Sequence, residues 1–124
     1  MYKKLQMPEV SIITPCYNSS KFLKETIDSV LNQTFTDWEW LITDDCSQDD
    51  SAEIIKTISD PRIILHFAEK NGGAGHARNI SLRKASGRFI TFLDADDFWN
   101  PEFLEEMVNF MKKENAELAY SNYA

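Results

Sequence analysis

The chain has 124 residues, 43% of them hydrophobic and 27% charged, a size and balance that suit one compact domain and exclude a disordered tail. Its apolar runs are strand-length, too short to cross a membrane as helices. A formal net charge of −7 leaves no basic field for a nucleic-acid backbone, so a small anionic ligand would need a divalent cation, an arginine or helix-start amides to meet it.

Val10-Ser11-Ile12-Ile13-Thr14 is a β-rich run that Pro15 should stop, and the polar loop Cys16-Tyr17-Asn18-Ser19-Ser20 follows. Phe22, Leu23, Ile27, Val30 and Leu31 recur at helical spacing, with N-cap oxygens offered by Asn18 to Ser20. Trp38 to Thr43 reads as the second strand, ending in Asp44-Asp45-Cys46-Ser47, and Ala52, Ile54, Ile55 and Ile58 mark a helix from near Asp49. Arg62 to Phe67 gives a third strand. The loop Asn71-Gly72-Gly73 leads into a helix through Ala85, which Gly87 is expected to close as a left-handed cap. Arg88 to Leu93 is the fourth strand. Asn100-Pro101 should start the last helix, with Phe103, Leu104, Met107, Val108 and Met111 on its apolar face, and Leu118-Ala119-Tyr120-Ser121 a short fifth strand. Cys16 and Cys46 are too few for a disulfide scaffold, and no leader precedes the first strand, so a cytoplasmic location is expected.

Strand-helix alternation with short turns implies an α/β fold with a mostly parallel sheet and helices on both faces, because parallel neighbours need crossover connections. Ligands of such sheets bind beyond the carboxyl ends of the strands. The loops at residues 15–18, 44–47, 71–75 and 94–97 all follow strands, so they should converge on one rim.

Asp94-Ala95-Asp96-Asp97 directly follows the apolar strand. Residues two apart on extended chain project to one side, so Asp94 and Asp96 can face one ligand. Their hard oxygens suit Mg²⁺ or Mn²⁺, through which a diphosphate could approach; a solvated acidic turn is the bland alternative. Of Asp44 and Asp45, consecutive in a strand end, one should reach the rim while the other shapes the turn. Tyr17 could stack on a base or simply pack. Arg78, early in the third helix, could meet a phosphate or tie down an acidic loop. Trp38, Trp40 and Trp99 read as packing residues, and His66 and His76 lack metal-ligand spacing. The Gly73-Ala74-Gly75 run lacks the third glycine of a dinucleotide fingerprint, and there is no Gly-Lys-Ser/Thr phosphate loop or nucleophile elbow.

From Val10 to Tyr123 the chain resembles the N-terminal, nucleotide-sugar-binding half of family 2 glycosyltransferases of GT-A fold. The likeness rests on Val10 to Asn18, Asp44-Asp45-Cys46-Ser47, Asn71-Gly72-Gly73 with Ala77-Arg78-Asn79, and Phe92-Leu93-Asp94-Ala95-Asp96-Asp97, in the family's order. It implies one Rossmann-like domain over residues 1–124, binding a nucleoside diphosphate sugar, with UDP-sugar expected, for inverting transfer to a hydroxyl in polysaccharide or glycan synthesis. Thr14, Pro15 and Tyr17 would line the base pocket, and Asp45 would accept the base N–H. Arg78 would lie near the base or diphosphate and Asp94 on the ribose side. Asp96 would bind Mg²⁺ or Mn²⁺, with Asp94 and Asp97 as further candidates. The acceptor, saccharide or lipid-linked, and the catalytic base belong to a half the family carries beyond the position of Ala124, and a lipid-linked acceptor would bring the full-length protein to the inner face of the membrane. No catalytic base is identified in the chain itself. The alternatives are a sugar nucleotidyltransferase, disfavoured because Pro15-Cys16-Tyr17-Asn18 replaces a glycine-rich first loop, and a nucleotide-binding module without turnover.

Overall fold

A computed structural model of the chain describes residues 7–115. Four strands and four helices alternate within them: β1 (Val10–Cys16), α1 (Ser20–Leu31), β2 (Trp38–Asp44), α2 (Ser51–Lys56), β3 (Ile63–Phe67), α3 (Ala74–Lys84), β4 (Phe89–Phe92) and α4 (Phe103–Glu114). Every strand pair is parallel, in the order β3-β2-β1-β4. The expected strand at residues 118–121 lies outside the described residues. No helix among the described residues is long and apolar enough to cross a membrane.

The two faces of the sheet are covered by different chemistry. Val10, Ile12 and Cys16 of β1, with Trp38, Trp40 and Ile42 of β2, pack against Leu23, Ile27 and Val30 of α1, Ile55 of α2, and Leu104 and Val108 of α4. This is the apolar core, and its burial supplies the main driving force for folding. The opposite face takes α3, which sits down on Ala77 and Ser81. There Ile13 and Leu41 are buried among polar pairs: the Ser81 and Thr43 hydroxyls pair at 2.7 Å, and Glu39 accepts from Ser11 Oγ at 2.6 Å and from the Ser86 amide at 2.7 Å. A buried carboxylate is tolerable there because hydrogen-bond donors surround it.

Several boundaries differ from expectation for local reasons. Strand β1 continues through Pro15, which lies opposite Thr43. Ile13 turns its carbonyl toward β4, where it accepts from the Leu93 amide at 3.0 Å. By alternation Pro15 faces the same side, beyond the last β4 pair, Ile13 with Phe92, so its missing N–H breaks no ladder bond. No side chain from Asn18 to Ser20 caps α1; Asp49, from the loop after β2, instead accepts from the Ser20 amide at 3.1 Å. Helix α4 starts at Phe103 after a turn in which Asn100 Oδ1 accepts from the Glu102 amide.

Gly87 is not a left-handed cap. Helix α3 ends at Ala85 in extended conformation, and Gly73 is the only glycine with positive φ among the described residues. Gly87 is needed for close approach instead: a Cβ there would stand 2.6 Å from both the amide nitrogen and Oγ of Ser11. Gly87→Ala should therefore lower the unfolding free energy by about 1–3 kcal/mol through overpacking. Gly75→Ala, where a Cβ meets nothing within 4 Å, should be neutral or stabilising, and urea denaturation of the two variants checks the contrast.

Candidate functional site

The strand order places β2 and β3 on one side of β1 and β4 on the other, so the carboxyl ends of β1 and β4 flank a topological switch point, where α/β sheets hold ligands. A cleft of about 230 Å³ opens there, with Pro15, Tyr17, Asp45, Arg78, Asp94 and Asp96 in its walls. These six residues come from four separate loops or helix starts, so the expected convergence is met for them. Thr14 departs from it. Being an even-numbered β1 residue it faces the core, fully buried, and its Oγ1 accepts from the Trp40 indole N–H at 2.8 Å. Its side chain is not in the cleft wall.

Asp44 and Asp45 divide the labour as their opposite directions require. Asp44 shapes the turn, accepting from the Ser47 amide at 3.0 Å and from its hydroxyl at 2.6 Å. Asp45 turns to the cleft and receives the Gly72 amide at 2.9 Å on Oδ1 and the Gly73 amide at 2.7 Å on Oδ2. Its carbonyl accepts from Asn71 Nδ2 at 3.0 Å. Two amides aimed at one carboxylate satisfy its burial and hold the glycine loop against β2. Gly73, at φ 94°, then opens α3 and so places Arg78 one turn in.

The acidic run is a turn, not extended chain, closed by the Asp97 amide donating to the Asp94 carbonyl at 3.0 Å. The turn buries Ala95 and still delivers Asp94 and Asp96 to the cleft, while Asp97 is exposed outside its wall. Arg78 Nη2 stands 3.6 Å from Asp94 Oδ1, an ion pair that fastens α3 to the β4 loop, each side chain remaining about half open to solvent. The side chain of Asp96 makes no hydrogen bond or ion pair among the described residues. No three His, Cys, Asp or Glu side chains among the described residues form a group that could hold a metal ion unaided. Two carboxylates at this opening would hold a cation only together with a ligand's phosphates, which is how Mg²⁺ commonly binds. The residues present fit that arrangement.

Tyr17 is half exposed at the mouth of the cleft, free to offer its ring. Beneath it Cys16 is fully buried, and burial first, with the Asp44 charge second, pushes its thiol up to about 12, so it is a neutral packing group at pH 7. Trp38, Trp40 and Trp99 are all core, Trp99 stacking on Phe103 at 4.6 Å. Sequence reasoning missed the buckle between the first two loops: Ser47 Oγ accepts from the Asn18 amide at 2.9 Å, and Asn18 Oδ1 accepts from the Gln48 amide at 2.7 Å. These partners lie about thirty residues apart, so no local pattern signals them.

A family model described as Glycosyl transferase family 2 matches residues 11–124. The chain is 46% identical over 114 residues to an Escherichia coli protein named UDP-Glc:alpha-D-GlcNAc-diphosphoundecaprenol beta-1,3-glucosyltransferase WfgD, covering 92% of this chain and 45% of that one. Staphylococcus aureus TarS 1-349, solved in complex with UDP, superposes with a TM-score of 0.82 at 33% identity, over 86% of this chain and 33% of that one. The mannosyltransferase PcManGT of Pyrobaculum calidifontis, solved with GDP-Man and Mn²⁺, shares the fold at 24% identity and a TM-score of 0.75, over 90% and 34% of the two chains. The chain spans about half the length of several curated relatives it matches.

The loop contacts carry a pH signature. Hydrogen bonds from Ser51, and then from the Ser20 amide, hold the Asp49 carboxyl well below the usual carboxylate range. A folded-state pKa below the unfolded one means that Asp49 stabilises the fold fully above about pH 4 and loses that share as pH falls toward the folded value. The gap in urea midpoint between wild type and Asp49→Ala should be largest at neutral pH and narrow near about pH 3. An unchanged gap would remove Asp49 from this role.

Proposed function

The chain belongs to glycosyl transferase family 2, and on that premise we propose that it binds a nucleoside diphosphate sugar, with uridine as the base, in the cleft between β1 and β4. The sugar passes, with inversion, to a hydroxyl of a saccharide or lipid-linked acceptor in glycan synthesis at the cytoplasmic face of a membrane. The observation that carries this reading is the meeting of Tyr17, Asp45, Arg78, Asp94 and Asp96 at one switch-point cleft. The UDP complex of TarS, at 33% identity, and the UDP-Glc in the name of WfgD support uridine.

In this reading Tyr17 stacks on the base, whose flat apolar face suits an exposed ring. Pro15 packs beside it without a donor of its own. Asp45 accepts the base N–H through lone pairs left over after the Gly72 and Gly73 amides are bound. Asp94 meets the ribose side, and Arg78, 3.6 Å from Asp94, exchanges part of that pairing for the diphosphate. Asp96, exposed and without a partner among the described residues, is the direct ligand of Mg²⁺ or Mn²⁺, and Asp97 stands behind it. A bound divalent cation offsets the charge that develops on the departing nucleoside diphosphate.

Calorimetry tests the reading. UDP with Mn²⁺ should release heat with the intact chain and bind more tightly than ADP. Asp96→Ala should weaken the metal-dependent binding at least about tenfold, the scale of losing one charge-assisted contact. Tyr17→Ala should weaken UDP with or without Mn²⁺ by a similar factor, the worth of one base-aromatic stack. Absence of heat from the wild type across uridine, guanosine and adenosine diphosphates would overturn the proposal.

A further inference from the structure

Among the described residues the carboxylate of Asp96 has no partner, so its backbone decides where it stands. The carbonyls of the residues on either side of it, Ala95 and Asp97, both accept from one side chain of another element. Thr26, in the middle of α1 and 1% exposed, directs its hydroxyl at the Ala95 carbonyl, 2.9 Å away, and at the Asp97 carbonyl, 2.5 Å away. The carbonyl of its own preceding turn, on Phe22, is farther, at 3.4 Å. A buried threonine hydroxyl ordinarily returns to its own helix; here the shorter contacts reach about seventy residues along the chain. The Asp94 carbonyl is taken by the Asp97 amide, so the carbonyls on either side of residue 96 and at the head of the turn are all engaged.

We propose that Thr26 is a positioning residue for the acidic turn, its hydroxyl holding the Ala95 and Asp97 carbonyls and with them the stretch of backbone that aims Asp96 into the cleft. It touches no ligand. The inference rests on the reading of Asp96 as the donor-side metal ligand for its functional consequence, and on hydrogen bonding alone for its structural one. Removing the hydroxyl proton leaves the buried Ala95 carbonyl unsatisfied and frees the part-buried Asp97 carbonyl, so the turn should loosen where Asp96 sits, not across the domain.

The test compares Thr26→Val, which keeps the shape and removes the hydroxyl, with Thr26→Ser, which restores it. Amide exchange over residues 94–98 should quicken about tenfold in Thr26→Val, while the Gly72 and Gly73 amides, held by Asp45, keep wild-type protection and report an intact fold. UDP affinity in the presence of Mn²⁺ should fall about tenfold, UDP affinity without metal should stay at the wild-type value, and Thr26→Ser should recover both the exchange and the affinity. Thr26→Ala gives the same comparison if valine disturbs the Gly72 and Gly73 reference. Wild-type exchange over residues 94–98 in the hydroxyl-free variants would overturn the proposal. If the wild type binds no UDP, the donor reading falls by itself, and the exchange comparison with its serine rescue still decides whether Thr26 holds the turn.

Discussion

A parallel strand can be reached only by carrying the chain back across the sheet, and this constraint organises the molecule. Each of the four strands begins at one edge and ends at the other, so the loops after β1, β2, β3 and β4 are delivered to one rim whatever their sequences. The position of β1 between β2 and β4 then parts two of those loops from the others and makes a crevice. Polar residues that would be solvated turns in isolation become neighbours, and their chemistry follows from that meeting.

Within the rim, Asp45 converts proximity into fixed geometry. Its carboxylate ties the end of β2 to the Gly72 and Gly73 amides, Gly73 admits the left-handed turn into α3, and α3 presents Arg78 to Asp94. The chain of dependence runs from a backbone hydrogen bond to an ion pair across the cleft. The same residue is thus both wall and fastening.

Much of this is legible in the amino-acid sequence. Strands β1, β2 and β4 are apolar runs, α1 and α4 carry clear apolar stripes, and the strand-end carboxylates stand out because they directly follow apolar runs. What escaped had physical reasons. Thr14 looks like a loop residue beside Pro15, yet β1 continues past it and its alternation points the hydroxyl at Trp40. Gly87 carries no mark that separates a left-handed cap from a close approach to Ser11; only the neighbouring strand decides. The cap of α1 comes from Asp49 and the brace of the acidic turn from Thr26, both distant in sequence from what they serve. Helix α3 hides its inner face because it rests on Ala77 and Ser81, which no apolar stripe would reveal.

Pro15 has an effect beyond tolerance of its ring. In the ladder between β1 and β4 the last bond runs from the Leu93 amide to Ile13, and the next donor in line would be the nitrogen of residue 15. Being a proline it has no hydrogen to give. The two strands therefore cannot zip farther together, and the chain after Leu93 is released to turn aside toward Asp94 and Asp96. The opening is thus built into covalent structure: a visiting molecule finds it already ajar, with no backbone pairing to prise apart on the way in.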